Sequence, residues 1–398
     1  MSDFQSLFLI VCALYLLECV LWLRGGVVVF RRSLLGPWRV LRRGWELAAF
    51  DIQGILAPLL PPFSRVLVCE YPRLRISPYG FSLDRSERAG RQNLLPERHF
   101  LFASISAIHC NGTKVTCDGQ VVVRYSSSLA ARHWAALLTR LKQSSEIERA
   151  SLVEDEFRRL FDSNRLRETL SACHDAGRAL RWACSAEFAL LLIVFPILGH
   201  LFGFRMIWLP LLICLLLSGG YIAWQFCRAH RAVYGMNDPD RGSTAAMLFL
   251  SPVSATRALD ELEKHALGAF HPLAATAVLC PPQLFEAEAS RTLRELLFPP
   301  PFTVPEKSHE NTAAEAWFHE HWQKAVEQFI NLHFADPARL LTPPPKESDE
   351  CRSYCPRCCG QYVFESGKCA ECELPVVSFS QPTKTPAVSV NAKQVPAE

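Results

Sequence analysis

The chain has 398 residues, with 42 Lys and Arg against 39 Asp and Glu, for a formal net charge of +3. So small an excess excludes a global electrostatic argument for nucleic-acid binding. Hydrophobic residues make up 49%, and the 16 cysteines are scattered rather than set in the regular framework of a secreted disulfide domain, so a reducing compartment fits.

The hydrophobic excess is concentrated in a few runs. The first, residues 4–23 (FQSLFLIVCALYLLECVLWL), is long enough at about 20 residues to cross a bilayer core. A cleavable signal peptide needs a basic n-region, whereas MSDFQS carries Asp3 and neither Lys nor Arg. The positive charges follow the run instead, as Arg24, Arg31, Arg32, Arg39, Arg42 and Arg43 with Glu46 against them. The positive-inside rule then predicts an uncleaved anchor with the N-terminus outside and residue 24 onward in the cytoplasm. Glu18 is costly in lipid and is expected near the interface or against a neighbouring helix. Residues 24–64, basic and then Pro-punctuated, read as a juxtamembrane segment at the surface of anionic lipid, or equally as a linker carrying the topogenic charges.

Residues 65–142 are predicted to be β-rich. RVLVCEY and RLRISPYGFSLD supply β-branched and aromatic runs, and Asn111-Gly112 and Asp118-Gly119 are two hairpin signals that define a three-stranded meander. Ser127 or Ser128 is placed to cap a following helix with Leu129, His133 or Trp134, Leu137, Leu138 and Leu141 on its apolar face. Antiparallel strands closed by one C-terminal helix resemble a pleckstrin-homology-like barrel, a resemblance of element order that implies lipid or peptide binding. Residues 145–184 follow as a charged helical stalk with Leu152, Phe157, Leu160, Phe161, Leu166 and Leu170 on a packed face.

Residues 188–226 contain two further apolar runs, Phe188–Phe204 and Met206–Phe226, joined by little more than Gly203 and Arg205. They predict a tight transmembrane hairpin, which brings the total to three spans. Arg178 and Arg181 before it and Arg228 and Arg231 after it place both ends in the cytoplasm. Pro196 and Pro210 interrupt the pair, which keeps a buried or re-entrant hairpin as the competing reading.

Residues 228–340 read as mainly helical. Ser254 or Thr256 opens one helix with Leu259, Leu262 and Leu267 on a face, and residues 271–280 are apolar but too short to span. Residues 313–334 carry an amphipathic stripe of Phe318, Trp322, Ala325, Val326, Phe329, Ile330 and His333. Residues 341–350 are a stiff Pro-rich tether, and residues 379–398, beyond the cysteine tail, read as disordered.

The cysteine tail, residues 351–378, carries the one strong chemical motif. Cys355, Cys358, Cys369 and Cys372 give C-x2-C-x10-C-x2-C, in which each C-x-x-C turn aims two thiolates at one ion. Tyr362, Val363 and Phe364 with a Ser366-Gly367 turn supply a hairpin between them, and Gly360 permits a tight exit from the first turn. The tail closely resembles a zinc ribbon with rubredoxin-like four-cysteine knuckles, and departs from the common pattern at Cys359 and Glu373, where a glycine or small residue is usual. The resemblance implies structural Zn2+. A redox dithiol needs a single C-x-x-C, an iron site would use the same ligands, and a catalytic zinc would keep an open position. Cys351 and Cys359 are left over as free thiols.

No catalytic motif is present elsewhere. His319-Glu320 lacks the second histidine of a zincin, and His321, two residues on, points away from His319 on a helix. The fold class expected is therefore a membrane α-helical protein of three spans with a cytoplasmic β-rich domain, a helical region and a C-terminal ribbon. The order of parts resembles bacterial integral membrane proteins that end in a zinc ribbon, which implies the cytoplasmic membrane. The function expected is a non-enzymatic adaptor with the membrane and unidentified proteins as partners. The alternative is a membrane-associated enzyme whose site would gather His230, His271, His319 and Glu320. Nucleic acid is not an expected partner, because the tail sets Arg352, Arg357 and Lys368 against Asp349, Glu350, Glu365, Glu371 and Glu373.

Overall fold

A computed structural model describes residues 3–23, 27–31, 40–42, 65–69, 74–83, 98–125, 127–235, 238, 240–279, 282–298 and 309–380. The expectations for the Pro-punctuated part of residues 43–64 and for a disordered end beyond residue 380 lie outside the described residues, as does the side chain of Glu18. The chain divides into two units, Met1–Leu284 with Ala313–Phe318, and Phe285–Thr312 with His319–Glu398.

The first unit is mostly helical with three small sheets. Strands β1 (Val27–Arg31), β2 (Val40–Arg42) and β3 (Arg65–Cys69) pair antiparallel in the order β2-β1-β3. Part of the segment expected to lie on the bilayer surface is thus built into a sheet, because Val27–Phe30 forms a β-branched and aromatic run that finds a partner in the equally β-prone Arg65–Cys69. β4 (Leu74–Ile76), β5 (Gly80–Leu83) and β6 (Arg98–Leu101) form a second sheet. β7 (Ile108–Asn111), β8 (Lys114–Cys117) and β9 (Gln120–Arg124) form the expected meander. Its second turn has positive φ at both Asp118 (50°) and Gly119 (78°), the backbone of a type I′ hairpin. Asp118 then accepts hydrogen bonds from the amides of Ser106 (3.0 Å) and Ala107 (2.8 Å), which ties the turn to the preceding loop. No pairing joins these sheets among the described residues, so the closed pleckstrin-like barrel is not formed there.

The helix Ser128–Gln143 follows, capped by Ser127, whose hydroxyl accepts from the amide of Ala130. Trp134, Leu137, Leu138 and Leu141 are buried, whereas His133 turns outward to Glu156 at 3.0 Å. The stalk is two helices, Glu146–Leu160, opened by a capping box of Ser145 and Glu148, and Ser163–Ala176, capped by Asp162.

Two helices, not three, are long and apolar enough to cross a membrane among the described residues: Arg178–Phe202 and Phe204–Tyr234. The N-terminal helix, Asp3–Leu23, is described with its side chains over Asp3–Leu17 and counts there as a shorter apolar helix, so a third span is not shown. The helix lies along the first hairpin helix, with Phe4 against Phe195 and Tyr15 against Phe188.

The hairpin turns at Gly203, whose φ of 76° suits a residue without Cβ. Leu190–Val194 is a π turn, in which the Phe195 amide reaches back to the Leu190 carbonyl. Pro196 follows at once and brings no N–H for the ladder, and the wider turn absorbs that loss. Near its turn the hairpin exposes Ile197, Leu201, Phe202, Met206, Trp208, Leu209 and Leu212. At its open end Leu180, Cys184, Ile222, Phe226 and Ala229 are buried in one core with Leu166, Leu170, Leu259, Leu262 and Leu267. Gly177 allows that closure, since a Cβ there would meet the Cys173 carbonyl oxygen at 2.7 Å and Leu259 Cδ1 at 2.9 Å.

The expected helix after the hairpin runs Ala258–Leu267, preceded by the turn Pro252–Ala255 that Ser251 caps, rather than Ser254 or Thr256. Pro272–Leu279 is a buried helix with Leu273, Ala274 and Ala275 at 0% exposure. Arg159 binds the Ala269 carbonyl just before it at 2.8 Å.

Candidate metal centre

In the second unit the tail forms a three-stranded sheet of β10 (Ser353–Tyr354), β11 (Gln361–Tyr362) and β12 (Val377–Ser378) in the order β11-β10-β12. The central strand delivers the chain into the first cysteine turn, and β11 carries it away. Both cysteine turns have the same backbone. In the first, the Cys355 amide donates to the Gly360 carbonyl (2.9 Å) and the Cys359 amide to the Cys355 carbonyl (3.0 Å). In the second, the Cys369 amide donates to the Leu374 carbonyl (2.8 Å) and the Glu373 amide to the Cys369 carbonyl (2.9 Å).

The repeat explains why the pattern usually carries glycine at the fifth place of each turn. Cys359 has φ 63° and Glu373 φ 56°, both left-handed, so the positions that depart from the ribbon pattern are those where the backbone is strained for an L-residue. Gly360, expected to provide the tight exit, lies one residue past the left-handed position.

The four thiol sulfurs lie within 4.8 Å of one another, and Cys358 Sγ to Cys369 Sγ is 3.6 Å. A tetrahedron of thiolates with metal–sulfur bonds of ~2.3 Å has edges of about 3.8 Å, so the cluster is of a size to hold one ion. Cys355 and Cys369 are buried at 0% and 1% exposure, and Cys358 faces outward. The Cys355 thiol is held down to about 5 by its hydrogen bond from Cys358, against the effect of burial. The same shared proton drives Cys358 upward, and burial pushes Cys372 up to about 11. Two thiols so close contend for one proton, which a cation would displace. The Tyr362 hydroxyl donates to Cys369 Sγ at 3.0 Å and accepts from the Ala370 amide at 3.2 Å, supporting a ligand sulfur from outside the four.

The leftover cysteines stand apart from this set. Cys351 is buried beside the Ser348 hydroxyl at 3.4 Å, and burial raises the Cys359 thiol, which is therefore not an activated thiolate.

Arg294 is the neighbour that the sequence did not mark. It stands on the helix Pro282–Leu297 at 3% exposure and donates to the carbonyls of Pro356 (3.0 Å) and Thr342, which ties the first cysteine turn and the tether to that helix. An arginine in the last turn of an amphipathic helix has no sequence signal that separates it from a solvated one. The helix His309–His333 buries Val326, Phe329 and Ile330 of the expected stripe, and Phe285 stacks on Phe334.

Of the residues of the enzyme alternative, His230 and His271 belong to the first unit and have different neighbours there. His230 faces Asp238 and His265, whereas His271 caps its own helix through the Leu273 amide (3.1 Å) and packs on Phe161. His319 and Glu320 are exposed and belong to the second unit. Glu187, on the first hairpin helix, is a buried carboxylate that takes a hydrogen bond from Ser218 and passed unnoticed among the apolar residues around it. Comparison with models of protein families, with curated proteins and with solved structures gives no match to this chain.

Proposed function

We propose that the protein is a membrane-anchored adaptor without catalytic activity, which presents its folded units and a structural zinc ribbon to protein partners. The observation that carries this reading is the cluster of four cysteines on two matching turns. Four thiolates fill a tetrahedral shell and leave no position for substrate, and soft thiolate ligands favour zinc. The two long apolar helices supply the anchor, and their exposed leucines, isoleucines and aromatics suit lipid. Arginines flanking the open end of the hairpin favour the cytoplasmic side for that end and for the C-terminus, in a bacterial-type inner membrane.

The test is capture of cross-linked partners from membranes holding the full-length chain or its Cys355→Ser variant. An adaptor working through the ribbon loses defined partners in the variant. An identical partner set, or none in either case, contradicts the proposal.

A further inference from the structure

Among the described residues a second cluster of ligating side chains lies in the first unit, remote in sequence from the cysteine tail. His230 stands near the end of the second hairpin helix, Asp238 follows the Gly235 turn that ends it, and His265 comes from the helix Ala258–Leu267. Their ligand atoms lie within 4.8 Å of one another, and His230 Nε2 is 3.0 Å from Asp238 Oδ2. The two imidazoles stand perpendicular with ring centroids 5.3 Å apart. All three residues are buried, at 0%, 6% and 7% exposure.

Two features separate this group from a chance meeting of polar side chains. The first is an outer ring of partners. The Ser127 hydroxyl is hydrogen-bonded to His265 Nδ1, which fixes the orientation of that ring. Arg132 donates to Asp238 Oδ1 and the Ser128 hydroxyl approaches the same oxygen at 3.4 Å, leaving Oδ2 turned to His230. Ligating histidines and carboxylates are held in this way by groups on their far atoms. The second is His230 itself. Both ring nitrogens are buried with no hydrogen bond, since Nε2 lies at hydrogen-bonding distance from Asp238 but off the angle that a bond requires. Buried imidazoles are rarely left so, and a cation between the three residues would engage one of these two nitrogens.

We propose that His230, Asp238 and His265 form a second metal site, for a first-row divalent cation of the zinc or iron(II) type. Two imidazoles and one carboxylate suit such ions better than calcium or magnesium, which prefer all-oxygen shells. Ligand atoms of a tetrahedron with ~2.0 Å bonds lie about 3.3 Å apart, and here they lie within 4.8 Å of one another, with the His230–Asp238 pair at 3.0 Å. Three protein ligands leave one position for water or a small anion, unlike the closed shell of the ribbon. Phe226 and Tyr234 wall the site, and the Tyr234 hydroxyl is already spent on the Leu262 carbonyl at 2.7 Å.

The test uses the full-length chain in detergent, loaded with Zn2+ or Co2+ and desalted. A variant with Cys355, Cys358, Cys369 and Cys372 all changed to serine should keep about one equivalent of metal, with a cobalt spectrum free of sulfur-to-metal charge transfer. Adding His265→Gln to that variant should remove the remainder, with helix content by circular dichroism unchanged. Should that chain unfold, Asp238→Asn replaces it. Complete loss of metal from the four-serine chain overturns the site and leaves Asp238 as an ion-pair partner of Arg132 and His230. Failure of the ribbon reading is distinct: the wild-type chain would then hold a single equivalent, unaffected by the serine changes.

Discussion

Cys359 and Glu373 occupy equivalent places in the two cysteine turns, and each holds a left-handed backbone. That conformation costs an L-residue roughly 1 kcal/mol more than glycine. Glu373→Gly is therefore expected to stabilise the tail by about 1 kcal/mol, read as a higher midpoint of metal-dependent unfolding. Cys359→Gly should do the same with metal stoichiometry unchanged; a loss of metal would make Cys359 a ligand. The clustering of the four cysteines was legible in the sequence because their spacing encodes the geometry of two turns. Of the buried group, His230 was marked only as a lone histidine and Asp238 and His265 not at all, because each alone is an ordinary polar residue and only the fold sets the three together. Arg294 was hidden for the same reason, since its partners are backbone carbonyls that no pattern announces.

Glu156 shows how a single charge fixes the helix Glu146–Leu160. Burial pushes its carboxyl group up, and hydrogen bonds from Arg159 (2.8 Å) and His133 (3.0 Å) outweigh this and hold it below the usual range. A lowered folded-state value contributes stability that is fully present above the unfolded value of about 4.3 and is lost as pH falls through the folded value. Glu156→Gln should cost about 2 kcal/mol at neutral pH, and the gap between wild type and variant should close below about pH 4. Thermal melts across that range decide it; a gap independent of pH would show that the charge contributes nothing. Helices and strands of this unit were legible wherever a period or cap was clear, as in the meander and the helix Ser128–Gln143. The π turn at Leu190–Val194 was not, because Pro196 marks an interruption without stating how the chain absorbs it. The pairing of β1 with β3 was hidden too, because the two strands are separated by a long stretch of chain.

At the scale of the whole molecule, the two long helices expose apolar side chains toward their turn and bury their open end in protein. An arginine at the middle of such a helix costs about 2.5–3.5 kcal/mol of insertion. Leu212→Arg should release part of the chain from carbonate-washed membranes, whereas Trp182→Arg, exposed before the apolar run, should leave it bound. Equal retention would mean that the hairpin does not enter the bilayer. The third span expected at the N-terminus is not among the two candidate spans of the described residues: its described side chains end at Leu17, and Phe4 and Tyr15 among them pack on Phe195 and Phe188. A closed metal shell in an anchored, non-catalytic protein is the centre of the account, and cobalt reports on it directly. Full-length protein titrated with Co2+ should develop sulfur-to-metal charge-transfer bands that saturate at about one equivalent, vanish in Cys355→Ser and stay unchanged when azide is added. Bands that shift with azide would reveal an open coordination position, and bands that survive the change of Cys355, Cys358, Cys369 and Cys372 to serine would place the metal on other thiols; either result contradicts a structural ribbon.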